Sequence, residues 1–89
     1  MGILKADTGD ISGAIALLEQ SLEIEEGIGN LKGKAMTLQW LGWLAAYAQK
    51  DYQTALDYLQ QSLDILQHLQ SPEAEKVRKI IAKVQQRMN

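Results

Sequence analysis

The side chains that most often perform catalysis or bind metals are scarce in this 89-residue chain. It has no cysteine, and its one histidine, His68, lies one helical turn after Asp64 on a polar helix side shared with Asp57 and Gln61. The chain also lacks a glycine-rich phosphate loop and a His-Glu-x-x-His zinc motif. We therefore expect His68 to form a surface hydrogen bond, and we predict no enzyme activity, no metal site and no cofactor.

A row of aromatic and apolar side chains is the stronger indication of function. At about 100° per helical residue, four side chains project within one narrow sector, and we call them the aromatic stripe: Met36, Trp40, Trp43 and Tyr47. Tryptophan and tyrosine are typical anchors at binding hot spots. The stripe is compatible with three roles: core of the chain, interface between two copies, or groove for a peptide. As core, it would be covered by the N-terminal segment around Ile3 and Leu4, or by the last helix.

The chain also carries two clusters of like charge. They are acidic at the end of the first predicted helix (Glu19, Glu23, Glu25 and Glu26) and basic along the last (Lys76, Arg78, Lys79, Lys83 and Arg87). Such clusters are mostly solvated, and we expect both to be so. Two alternatives remain open: the basic cluster as a site for an anionic ligand, and the acidic cluster as a salt-sensitive contact with the basic last helix of a neighbouring copy.

Composition narrows the class of protein. Hydrophobic residues make up 46% of the chain, charged residues make up 22%, and the formal net charge is -2, which is typical of a helical globular domain and not of a nucleic-acid binder. No apolar run approaches the roughly 20 residues of a membrane span. The absence of cysteine fits a reducing compartment. We predict a cytoplasmic protein with neither a nucleic-acid nor a membrane partner.

The spacing of apolar residues predicts four helices and no strand. They run from Ile11 to Ile28, from Leu31 to Gln49, from Asp51 to Leu69 and from Pro72 to Met88. Asp10, Asn30 and Ser71 are suitable N-caps, and Gly29 is a suitable C-terminal stop. The first and third helices are copies of each other, because GDISGAIALLEQSLEIEE, starting at Gly9, recurs as KDYQTALDYLQQSLDILQ. An internal repeat of this length is typical of helical arrays that present a binding surface.

The segment from Leu41 to Leu66 resembles the tetratricopeptide repeat, a pair of antiparallel helices named A and B. The Leu-Gly pair of helix A and the Asp-Tyr turn and alanine of helix B have counterparts here at Leu41, Gly42, Asp51, Tyr52 and Ala55. The segment from Gly2 to Ile15 is similar to the same element, beginning halfway through helix A, with Gly9 and Asp10 at the turn. This resemblance implies one all-α domain, 1–89, made of a half repeat at 2–29, a full repeat at 30–70 and a capping helix at 71–89.

The resemblance also implies a non-catalytic protein-protein interaction module. It places Leu31, Ala35, Leu38, Leu41, Gly42 and Ala45 between helices A and B, and it places Met36, Gln39, Trp43 and Tyr47 on the concave groove face. With Trp40 from the stripe, the predicted partner-binding residues are Met36, Gln39, Trp40, Trp43 and Tyr47. The basic and amide residues that grip a terminal carboxylate in this family are missing. We therefore expect a protein or peptide partner with an apolar or amphipathic helix.

The turn before the repeated helix departs from the family pattern. Gly2 lies 40 residues before Gly42, but Asp10 lies 41 before Asp51, so the full repeat contains one extra residue ahead of the turn. Lys50 also replaces the turn glycine, at a place where left-handed backbone costs about 1 kcal/mol more for a side-chain-bearing residue. These departures leave an alternative open, in which the second and third helices fuse and build a domain-swapped homodimer.

Overall fold

The fold is all-α across the part of the chain that the structure describes. A computed structural model describes residues 8–88, with side chains from residue 11 onward, and contains the helices α1 (Thr8–Ile28), α2 (Leu31–Tyr47), α3 (Tyr52–His68) and α4 (Glu73–Met88). Each helix packs against the next, and α2 also contacts α4. Within residues 8–88 there is no strand, so the predicted fold class is confirmed.

Short-range hydrogen bonds set the ends of the helices. Gly29 has a φ of 74°, and the backbone N–H of Asn30 donates to the carbonyl of Glu25 at 2.9 Å, which ends α1. The Asn30 side chain accepts from the N–H of Gly33 at 2.9 Å and so begins α2. At α4, the N–H of Glu73 donates to the Ser71 hydroxyl at 3.2 Å. The predicted roles of Gly29, Asn30 and Ser71 are confirmed.

The start of α1 differs from the sequence-based prediction. We expected Asp10 to cap a helix that begins at Ile11, but α1 already begins at Thr8, so Gly9 and Asp10 are helical and do not form a turn. A glycine in a helix costs only about 1 kcal/mol, which flanking helical residues can offset. The predicted half of helix A around Gly2 lies outside the described residues.

The alternative in which the second and third helices fuse is wrong. Residues 48–51 are not helical, and Lys50 adopts a left-handed φ of 56°. Beyond this break, Asp51 caps α3 by accepting from the N–H of Thr54 at 3.3 Å and from its hydroxyl at 2.8 Å. This cap and the packing of α3 onto α2 outweigh the cost of left-handed backbone at lysine, so α2 and α3 form no fused helix from which the alternative domain swap could be built.

The turn at this break is longer than the turn after α3. The N–H of Asp51 donates to the carbonyl of Ala45, six residues earlier, at 2.8 Å. At the end of α3, the corresponding bond runs from the N–H of Ser71 to the carbonyl of Leu66, only five residues earlier, at 2.9 Å. The hydrogen-bonded turn that closes α2 thus contains one residue more than the turn that closes α3.

Small residues let α2 and α3 pack closely. A Cβ atom at Gly42 would lie 2.6 Å from Cγ of Leu59 and 3.2 Å from the carbonyl oxygen of Ala55. The Ser62 hydroxyl, fully buried, donates to the carbonyl of Ala35 at 2.7 Å. The core then continues through α3 into α4, and its completely buried side chains are Ala35, Ala55, Leu59, Leu66, Val77 and Val84.

Candidate functional site

The aromatic stripe lies on the face of α2 that points away from α3. Trp40 is 55% exposed and Trp43 is 43% exposed, whereas Met36 and Tyr47 are half-buried. Gln39, the fifth predicted binding residue, is half-buried beside them. Both tryptophans therefore lie outside the core that the described residues form. Ile3 and Leu4, which we considered as a cover for the stripe, lie outside the described residues.

The opposite side of α2 behaves as expected for the packing face. Leu38, Leu41 and Ala45 are each at most 2% exposed, and Gly42 is also buried. The exception is Leu31 at the start of the helix, which is 42% exposed. α2 is therefore apolar on two sides, of which one is buried by α3 and the other carries the stripe.

The aromatic rings of the stripe contact one another in sequence. The centroids of Trp40 and Trp43 lie 6.3 Å apart with their planes at 70°, an edge-to-face pair. The centroids of Trp43 and Tyr47 lie 5.1 Å apart with their planes at 44°. The three rings of the stripe therefore form one continuous apolar surface.

Helix α4 forms a second wall beside the stripe. Ile80 lines an open apolar cavity of about 350 Å³ together with Gln39, Trp40 and Trp43. Near the end of α4, the guanidinium carbon of Arg87 lies 4.9 Å from the centre of the Tyr47 ring, within the range of a cation–π contact. Sequence reasoning considered the last helix as a cover for the stripe but did not include Ile80 and Arg87 among the binding residues, because no local pattern indicates which side of α4 faces α2.

We call the surface between these two walls the α2–α4 groove. It consists of Gln39, Trp40, Trp43 and Tyr47 on α2 and of Ile80 and Arg87 on α4, and Met36 lies at helical spacing before them on α2. A second groove, between α3 and α4, has a volume of about 510 Å³. Its lining includes Gln53, Gln60 and Gln85 and no aromatic residue, so it has no comparable anchor for a ligand.

Part of the acidic cluster pairs within the chain. Oε1 of Glu25 accepts from the hydroxyl of the buried Thr37 at 2.8 Å, and Oε2 of Glu26 lies 3.1 Å from Nζ of Lys34. Both contacts connect α1 to α2, so the expectation that these two carboxylates are only solvated is wrong.

The pKa of the Tyr58 side chain is raised above its usual value of 10.0. The largest cause is burial, followed by the negative charges of Glu19 and Asp57.

His68, which we expected to form a surface hydrogen bond, is exposed at the end of α3. Its expected neighbour Asp64 accepts a hydrogen bond from the side-chain amide of Gln60 at 3.1 Å. In the described part of the chain, no three histidine, cysteine, aspartate or glutamate side chains lie close enough together to hold a metal ion. The described helices also include none that is long and apolar enough to cross a membrane.

A second exposed apolar surface lies on α1. Leu17 is 65% exposed, Ile24 is 62% exposed and Ile28 is 71% exposed, at helical spacing along one side. Sequence reasoning did not single out this surface, because apolar spacing predicts a helix without showing which of its sides is covered. The internal repeat contains a signal that could have found this surface. Ile24 aligns with Ile65 of α3, and Ile65 packs against the core.

Comparison with known proteins identifies the family. The family model for the tetratricopeptide repeat matches residues 1–68. Proteins of this family are generally non-catalytic scaffolds that bind other proteins. Neither the curated proteins nor the solved structures include a match to the chain. Since the matched region covers most of the chain, and since four helices pack consecutively as the repeat requires, the chain belongs to the tetratricopeptide repeat family.

Proposed function

We propose that this chain is a non-catalytic module that binds an apolar or amphipathic helical segment of another protein in the α2–α4 groove. The exposure of Trp40 and Trp43, at 55% and 43%, is the observation that carries the proposal. Two neighbouring, half-exposed tryptophans on a folded helix are unusual for a surface without a partner. Tryptophan is also the residue most enriched at binding hot spots.

The form of the groove supports a helical ligand. It lies between two helices and offers an apolar cavity next to Trp40, Trp43 and Ile80, into which side chains from one face of a helix can insert. The edge-to-face packing of the tryptophans reduces the side-chain entropy that binding costs. Gln39 provides an amide that can orient the ligand backbone.

The proposal extends to the organisation of the chain. It comprises a half repeat at 2–29, a full repeat at 30–70 and a capping helix at 71–89, with the groove between the full repeat and the cap. We also propose that the chain acts in the cytoplasm, which its lack of cysteine supports, and that it has no enzyme activity.

Replacing Trp43 by alanine tests the groove. The probe is a synthetic amphipathic peptide of about 18 residues with leucines at helical spacing. We expect Trp43→Ala to weaken peptide binding, measured by calorimetry, by about 2 kcal/mol, or roughly 30-fold. Leu69→Ala is the matched control, because Leu69 is similarly exposed, at 39%, but lies beyond α3 and outside the groove. Equal affinities for the two variants would contradict the proposal.

A homodimer is the second candidate, and the exposed side of α1 supports it. Leu17, Ile24 and Ile28 offer an apolar surface that a second copy can cover, in addition to the aromatic stripe. Light scattering over a concentration series, with tryptophan emission recorded on the same samples, distinguishes the interfaces. A dimer with blue-shifted emission supports the stripe as the interface, a dimer with unchanged emission supports α1, and a monomer at all concentrations excludes both.

A further inference from the structure

One stripe of α4 faces the groove, and it is mostly basic. Lys76, Ile80, Lys83 and Arg87 follow one another at intervals of three or four residues, so they lie on the same side of the helix. Two of these four residues lie beside the α2 wall, since Ile80 lines the apolar cavity and Arg87 lies over Tyr47. Lys76 and Lys83 share the orientation of those two residues and therefore border the groove.

These lysines have no acidic partner among the described residues. The two ion pairs formed there join Lys34 to Glu26 at 3.1 Å and Arg78 to Glu75 at 3.5 Å. Lys76 and Lys83 are exposed and take part in neither pair. The groove thus has one apolar aromatic wall on α2 and one wall on α4 whose positive charge is not paired by any described carboxylate, although the chain as a whole has a net charge of -2.

We propose that the partner helix is acidic on one flank: its apolar side chains contact Trp40 and Trp43, and its carboxylates face Lys76 and Lys83. This inference rests on the proposed function of the groove and adds the charge of the ligand. A basic helix is disfavoured, because it would place like charges against α4. Complementary charge at the rim of a groove mainly orients the ligand and accelerates its association, while the aromatic wall supplies most of the affinity.

Two peptides with one apolar face test the inference. Both are synthetic helices of about 18 residues with the same leucines, and they differ in having glutamate or glutamine along one flank. We expect the glutamate peptide to bind the unmodified chain about 10-fold more tightly, with the advantage lost near 1 M salt, where the screening length is only about 3 Å. The double variant Lys76→Gln/Lys83→Gln should abolish this preference and leave the affinity for the glutamine peptide unchanged.

Arg78→Gln is the matched control for Lys83→Gln. Both variants remove one positive charge from an exposed position of α4, but Arg78 lies on the side away from Lys83 and pairs with Glu75. Lys83→Gln should reduce the affinity for the glutamate peptide about 3-fold, and Arg78→Gln should leave it unchanged within error. Equal losses in the two variants would indicate a nonspecific effect of net charge and would overturn the inference.

The outcomes of these measurements separate this inference from the proposed function. If both peptides bind with equal affinity and Trp43→Ala weakens the binding of both, the proposed function of the groove is supported and the inference of an acidic partner helix is overturned. If neither peptide binds, both proposals are overturned. If the chain alone forms dimers that Lys76→Gln/Lys83→Gln dissociates, the occupant is the acidic α1 of a second copy, which also overturns a separate partner helix.

Discussion

Gly42 lies at a point in the interface between α2 and α3 that has no space for a side chain. Leu59, which faces it, is completely buried and cannot move aside without disturbing the core. The family resemblance already placed Gly42 between helices A and B. The distances of 2.6 Å to Leu59 and 3.2 Å to the carbonyl of Ala55 give the physical reason.

Gly42→Ala should therefore destabilise the chain, although alanine favours helix formation. We expect the free energy of unfolding in urea to fall by about 1 to 3 kcal/mol, because the new methyl group overpacks the interface. Gly13→Ala is the control: Gly13 also lies within a helix, but no described atom beyond its own turn would lie within 4 Å of a Cβ atom added there. That variant should gain about 0.5 to 1 kcal/mol, and a gain at Gly42 as well would contradict the close packing.

The connection between α2 and α3 decides the architecture at the level of elements. Lys50 and Gln70 both adopt a φ of 56° at the ends of helices, positions that glycine commonly occupies. At α1, Gly29 fills the same role with a φ of 74°. A side-chain-bearing residue in such a place is tolerated at a cost, so the two breaks after α2 and α3 are less stable than glycine would make them.

The substitution Lys50→Gly distinguishes a helical hairpin from a fused helix, because it changes the free energy of unfolding in opposite directions in the two cases. In the hairpin, glycine relieves the left-handed strain, and the free energy of unfolding should rise by about 0.5 to 1 kcal/mol. In a continuous helix, the same glycine would lower it by about 1 kcal/mol. Urea unfolding monitored by circular dichroism measures the difference, and Gln49→Gly, one residue earlier, is the control because positive φ is found at Lys50 and not at Gln49.

At the level of the whole molecule, α2 is the central element. It contacts α1, α3 and α4, whereas α1 packs only against α2 within the described residues. The apolar side of α1 that carries Leu17, Ile24 and Ile28 remains exposed. The stability of the chain is therefore expected to be unequal along its length, with α1 the helix that opens most readily.

Hydrogen exchange can test this order of stability. In a dilute, monomeric sample, we expect the backbone amides of α1 to exchange about 10-fold faster than those of α2 and α3, because fewer buried contacts oppose local opening. The measurement is mass spectrometry of peptides from each helix at low and high protein concentration. Equal protection of α1 and α2 in the dilute sample would contradict the prediction, and protection of α1 only at high concentration would support self-association through that helix.

The sequence by itself determined the features that depend on neighbouring residues. Helical spacing and caps such as Asn30 act within one or two turns, so the four helices, the end of α1 at Gly29 and the position of the aromatic stripe on a single helix could all be predicted. The internal repeat and the residues around Gly42 likewise indicated the family. These signals are local, and each is readable without knowledge of the other helices.

Only the tertiary structure decided which surfaces are covered and which charges meet. The exposure of Trp40 and Trp43, the approach of Ile80 and Arg87 to α2, and the free side of α1 all depend on how helices distant in sequence pack. The break at Lys50 was equally undecided, because its cost of about 1 kcal/mol is small beside the burial gained when α3 folds back on α2. A balance between a local cost and a nonlocal gain is settled only once the helices are packed.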